Sequence, residues 1–100
     1  MATIDHNAAS PLEWVVYVLR CNDRSLYCGI TNNLERRIKQ HRAGTGARYT
    51  KGRGPLRVAH WWKVANKSAA LRAEYAFKAL SRPQKLAALQ RCKRAVPPEF

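Results

Sequence analysis

The sequence predicts one small domain of the α+β type: a three-stranded, mainly antiparallel sheet flanked by helices, in the order β-β-α-β-α-α. Three observations carry this. The chain has 100 residues, enough for a single compact core. Three runs of strand length, residues 14–19, 25–30 and 56–64, are rich in β-branched and aromatic residues. Three stretches with helical spacing or cap signals fall after the second and third runs, and no repeating βαβ pattern calls for a parallel sheet.

Residues 1–12 read as a mobile tail and residues 13–94 as the folded domain, with a second tail at 95–100 that contains Pro97 and Pro98. The run WVVYVL at 14–19 is apolar without alternation, as in a strand covered on both faces, hence central. A polar turn at 20–24 leads to SLYCGI at 25–30, and the two make a hairpin. Asn32 is placed to cap the first helix, with Glu35 as its capping-box partner. Leu34, Arg37, Ile38 and His41 then share one helix face. Gly44 and Gly46 end that helix and open a basic loop, ARYTKGRGP. The run LRVAHWWKV forms the third strand, and Asn66 or Ser68 caps a second helix reaching about Leu80. Ser81, Pro83 and Gln84 open a third helix that runs to about Arg94.

The charge is far from balanced. Nineteen Lys and Arg face six Asp and Glu, a formal net charge of +13. Such an excess repels itself in a small fold, so an anionic partner is expected, and nucleic acid suits it best. No helix pairs a cationic side with a strongly apolar one, no stretch is long enough to span a bilayer, and no membrane role is expected. Cys21, Cys28 and Cys92 cannot all pair, and no Cys/His group has zinc spacing. The N-terminus lacks the apolar run of a signal peptide. A reduced, soluble, cytoplasmic protein is expected.

A divalent ion acting on a phosphodiester needs a carboxylate. Asp5 and Glu99 lie in the tails, Glu13 precedes the first strand, Asp23 sits in a turn and Glu35 is assigned to the cap. Glu74 remains, on a helical stripe with Ala70, Ala73, Phe77 and Leu80, where burial without a partner is costly. The plain alternative pairs it with Arg72 or Arg82. Arg37 and His41 share the inward face of the first helix, where an Arg can instead snorkel and a His can favour the helix C-terminus. Tyr17 and Tyr27 lie in the first two strands, and either alone reads as a core aromatic. A four-residue turn would place them on opposite faces of the hairpin; an odd-length turn or a bulge would bring them together.

With Val16-Tyr17-Val18, Tyr27-Cys28-Gly29, the run YCGITNNLERRIKQH and the segment LRAEYAFKAL, the sequence resembles the GIY-YIG nuclease family over about residues 14–90. It is most similar to small stand-alone bacterial members. The resemblance implies a DNA endonuclease that hydrolyses phosphodiester bonds with Mg²⁺ or Mn²⁺ held by Glu74. Tyr17 would help take the proton of the attacking water, with His41 sharing or relaying it. Arg37 would lower the Tyr17 pKa and clamp phosphate, and Tyr27 would position water or phosphate, with Gly29 leaving room beside it. Two departures stand out. Val16 occupies a place where the family usually has Gly, and Leu86, Ala87 and Ala88 lie where many members carry an Asn.

The loop residues Arg48, Tyr49, Lys51 and Arg53, with Arg57, are expected to follow a phosphate backbone, and Tyr49 and one of Trp61 or Trp62 to stack on bases. With no groove-reading motif, single-stranded or locally unpaired DNA is the expected substrate. No small-molecule substrate is expected. The rival reading is a non-catalytic basic nucleic-acid-binding module, to which Glu74 would not matter.

Overall fold

A computed structural model describes residues 13–91. The tails expected at 1–12 and 95–100, Cys92 and the last turn of the third helix lie outside the described residues. The expected order holds: β1 (Trp14–Arg20), β2 (Leu26–Thr31), α1 (Leu34–Arg42), a 3₁₀ turn at Arg48–Thr50, β3 (Arg57–Val64), α2 (Lys67–Lys78) and α3 (Arg82–Arg91). The sheet runs β2-β1-β3, with both pairings antiparallel.

β1 is central, as its unbroken apolar run requires, and residues 15–19 are all buried. Its side chains alternate between two cores. Val15, Tyr17 and Leu19 pack with Leu34, Ile38 and Leu56 on the α1 side. Val16 and Val18 pack with Cys28, Ala70 and Phe77 on the other, where Ala88 and Leu89 of α3 also reach. Trp61 joins the first core and Trp62 the second, so both pack against the protein as well as facing its surface. A register shift puts Val58 opposite Leu19 and His60 opposite Val18. Ala59 is the extra residue of a bulge.

The hairpin settles how the two tyrosines lie. Cys21 N–H donates to Ser25 O at 2.9 Å, and Arg24 adopts φ +72°. The loop is therefore the three residues 22–24, an odd length that ends in a left-handed residue. Tyr17 stands opposite Gly29 and Leu19 opposite Tyr27, so both tyrosines project on the α1 face.

One cap differs from expectation. Asn33, not Asn32, caps α1, accepting Arg36 N–H at 3.1 Å. Asn33 N–H is held by Thr31 Oγ1 and its carbonyl accepts Arg37 N–H, so the helix starts one residue later. Glu35 is thus free of the capping box and pairs with Lys39 at 3.4 Å. Asn66 caps α2 through Ala69 N–H. Ser81 and Gln84 cap α3 reciprocally.

Candidate active site

Tyr17 rises from the middle of the central strand and is 1% exposed. Its ring lies across Gly29 on the neighbouring strand: a Cβ there would stand 2.5 Å from the Tyr17 hydroxyl. Glycine is thus required by the tyrosine ring itself. The hydroxyl lies 2.8 Å from His41 Nε2, and Arg37 Nε donates to it at 3.4 Å. Arg37 and His41 are one helical turn apart, and Leu34 and Ile38 anchor that face of α1 in the core. Tyr27 completes the group, its ring centroid 6.3 Å from Tyr17 and 5.3 Å from His41. Arg37 also interacts with the Tyr27 hydroxyl.

Two residues of the basic loop complete the surroundings of His41. Thr50 Oγ1 lies 2.8 Å from His41 Nδ1, and donates to Ala47 O at 3.0 Å. Gly46 passes so close that a Cβ would meet Nδ1 at 2.6 Å. Sequence reasoning missed Thr50, a short polar residue among surface cations. Its buried partner His41 was the available signal.

Burial governs the protonation states. It pushes the Tyr17 phenol up to about 12, and the Arg37 hydrogen bond offsets this only in part. The expectation that Arg37 would bring Tyr17 down to the neutral range is therefore corrected: desolvation outweighs the nearby cation. Burial, then the Arg37 charge, pulls His41 down to about 4. The bond to Tyr17 holds Arg37 above its ordinary value. At neutral pH the site thus contains a neutral phenol, a neutral imidazole and a charged guanidinium.

Glu74 reaches the same edge from the opposite side of the sheet. Its carboxylate lies 3.1 Å from Lys78 Nζ, and that ammonium stands 5.9 Å from the Tyr27 ring centroid. Lys78 is the partner, rather than Arg72 or Arg82; Arg72 donates to Ser68 Oγ instead. The carboxylate is also felt by Cys28, next to Tyr27, whose thiol is pushed up to about 12 by burial first and by Glu74 second. β2 is an edge strand, so side chains from both faces converge there.

The other described acids are engaged elsewhere: Glu13 with Lys63, Asp23 with Arg53, Glu35 with Lys39. No cluster of three or more His, Cys, Asp or Glu occurs among the described residues. A single rim carboxylate fits a hydrated Mg²⁺ or Mn²⁺ shared with a phosphate, and does not fit an all-protein cage.

The basic loop divides. Arg48 and Lys51 are exposed. Arg53 pairs with Asp23 and lies 4.3 Å over the Tyr49 ring, which itself stacks on Tyr27 at 5.8 Å. Tyr49, 41% exposed, is therefore continuous with the tyrosine cluster. Arg57 stands apart, lining a cleft under α3 with Arg20 and Leu89. Trp62 stacks on His60 at 5.9 Å.

The chain matches the family model described as the GIY-YIG catalytic domain over residues 13–87. It belongs to the GIY-YIG family. A UPF0213 protein of Oceanobacillus iheyensis is 55% identical, over 71% of this chain and 83% of that protein. The solution structure of a UPF0213 protein of Bacillus halodurans is 44% identical, covering 79% of this chain and 84% of that one, with a TM-score of 0.55. A solution structure from E. faecalis is 31% identical, covering 93% and 99%, with a TM-score of 0.59. The UPF0213 proteins are a small stand-alone GIY-YIG family, so this GIY-YIG chain carries the domain of a nuclease superfamily. None of its described helices is long and apolar enough to cross a membrane.

Proposed function

We propose that residues 13–94 form a divalent-metal-dependent DNA endonuclease whose catalytic residues are Tyr17, Tyr27, Arg37, His41 and Glu74. The observation that supports it most is the Tyr17 hydroxyl held between Arg37 and His41, with Glu74 arriving at the same sheet edge. Glu74 would hold Mg²⁺ or Mn²⁺, which supplies neutralisation of charge developing on the scissile phosphate. Tyr17 and His41 manage the proton of the attacking water. Arg37, one Nη of which is engaged by Gln40, directs a remaining Nη–H donor at a phosphate oxygen. Tyr27 orients water or phosphate through its hydroxyl.

Arg48, Tyr49, Lys51 and Arg53 receive the DNA strand beside this site, and Arg57 contributes charge from the far end of β3. The substrate is single-stranded or locally unpaired DNA, because a ring in the loop serves an unpaired base and nothing here reads a groove. For Tyr49 to serve, Arg53 must move off the ring or stack with the base. The buried, unpaired Cys21 and Cys28 accord with action in the cytoplasm.

The test is cleavage of end-labelled single-stranded DNA and of its duplex, in competition at fixed ionic strength, with chelator and then with Mg²⁺ or Mn²⁺. Metal-dependent cleavage, faster on the single strand, is expected. Salt-sensitive binding without cleavage under any metal would leave the non-catalytic binding module as the better reading. Equal or faster cleavage of the duplex would overturn the strand preference alone.

A further inference from the structure

Five groups stand in one hydrogen-bonded line: Arg37 Nε, the Tyr17 hydroxyl, the two ring nitrogens of His41, Thr50 Oγ1 and the Ala47 carbonyl. Both ends of this line are chemically irreversible. A protonated guanidinium Nε–H only donates, and a carbonyl oxygen only accepts. Working inward from the carbonyl, the one proton of the Thr50 hydroxyl goes to Ala47 O. Oγ1 then has only a lone pair for His41, so Nδ1 must carry the hydrogen. With Nδ1 protonated, a neutral ring leaves Nε2 bare, and the Tyr17 hydroxyl, which accepts from Arg37, gives its one proton to Nε2. The Thr50 end alone fixes the tautomer, and the Arg37 end accommodates it.

Resting on the nuclease reading above, we infer that Thr50 is a positioning residue: it locks His41 in the Nδ1–H tautomer, and so makes Nε2 the acceptor for the Tyr17 proton. Thr50 and His41 are each 2% exposed, so water does not compete for these bonds. Gly46 keeps the space beside Nδ1 clear of any other side chain.

The line assigns an order to the proton transfer. The Tyr17 oxygen has a second lone pair for the attacking water. As a water O–H bond breaks, its proton forms a new O–H bond on Tyr17, and the original Tyr17 proton passes to Nε2. The electron pair released on the water oxygen forms the new P–O bond. Tyr17 ends as the phenol it began as, and His41 as an imidazolium. The leaving alkoxide takes a proton from solvent, and the imidazolium returns one to solvent. No free tyrosinate is needed, which suits a phenol buried beside a neutral imidazole.

The experiment uses the full chain, with the His41 ring observed by ¹⁵N NMR at neutral pH alongside single-strand cleavage. The wild type is expected to show a protonated Nδ1 and a bare Nε2. Thr50→Ser keeps the hydroxyl, and should keep both the tautomer and kcat. Thr50→Val keeps the shape without the hydroxyl. It should populate the other tautomer and lower kcat by about 10- to 100-fold, a part of the effect typical of a positioned acid–base group, with KM little changed. A wild-type ring protonated at Nε2 alone, or a Thr50→Val protein with unchanged tautomer and kcat, overturns the proposal. If Thr50→Val does not fold, the wild-type and Thr50→Ser spectra decide. A chain that cuts no DNA yet shows the Nδ1–H ring refutes the nuclease reading and leaves the tautomer lock standing.

Discussion

The two faces of one three-stranded sheet are built to different rules. On the α2 and α3 side, Val16, Val18, Cys28, Ala70 and Phe77 pack as an apolar cluster, with a buried imidazole, His60, opposite Val18, and with Glu74 at the rim. On the α1 side, the apolar cluster surrounds a buried polar line through Tyr17, His41 and Thr50. Buried polar groups are tolerated only when each is satisfied, and this line satisfies its members from end to end. One face supplies stability; the other spends part of its interior on orientation. The catalytic proposal therefore predicts different failures on the two sides.

The largest expected effect comes from the rim. Glu74→Ala should abolish cleavage while DNA affinity holds or rises, since a negative charge leaves a basic surface. Thermal stability should change little, because a half-buried Glu74 paired with an exposed Lys78 at the rim contributes only about 1 kcal/mol. Metal-dependent cleavage by Glu74→Ala at the wild-type rate would remove Glu74 from the site.

Tyr17→Phe should follow, slowing turnover by about 10²–10⁴-fold. The same change leaves His41 Nε2 without its partner and should destabilise the fold by about 1–3 kcal/mol. Kinetics and urea unfolding on one preparation test both. A fully active, fully stable Tyr17→Phe would reduce the tyrosine to a core aromatic.

Phe77→Ala reverses the pattern. It should cost about 3–5 kcal/mol through the cavity it opens, with turnover per folded molecule preserved at a temperature where the variant stays native. Loss of turnover in the folded variant would mean that the apolar face also holds the site, and the contrast between faces would fail.

Acid provides the most graded test. Burial, then the Arg37 charge, pulls folded His41 down to about 4, against an ordinary value of about 6.5. Between these values the unfolded chain binds a proton that the folded one refuses. Stability is thus whole above pH 6.5 and falls as pH drops toward 4, by at most about 1.4 kcal/mol per pH unit. Melting temperature against pH should show this decline, and His41→Gln should flatten it.

Much of this architecture is legible in the residues. The unbroken run of β1 declared it central, and the i, i+4 spacing of Arg37 and His41 put both on the inward face of α1. The pairing of the tyrosines was not legible, because the left-handed position that ends the hairpin loop is held by Arg24 rather than Gly or Asn. The capping-box spacing of Asn32 and Glu35 points one residue too early for the start of α1, because Thr31 holds the Asn33 N–H and makes Asn33 the cap. Lys78 could have been found from its i+4 spacing to Glu74. Thr50 was harder to find: a loop has no periodicity, and the only signal was an inward-facing His41, nine residues back along the chain, whose Nδ1 needs a partner. The expected lowering of the Tyr17 pKa failed for a related reason: a sequence shows a neighbouring charge more readily than the depth of burial.

Gly29 has a consequence for how such a chain can diversify. Position 29 must stay small because position 17 carries an aromatic ring, and position 17 is central to the core whether or not it carries a hydroxyl. A screen of random variants for folding alone would therefore keep an aromatic–glycine pair across β1 and β2 while accepting Phe at 17. A screen for DNA cleavage would keep the hydroxyl as well. Comparing the two enrichment maps at this one position separates selection on architecture from selection on chemistry within a single side chain.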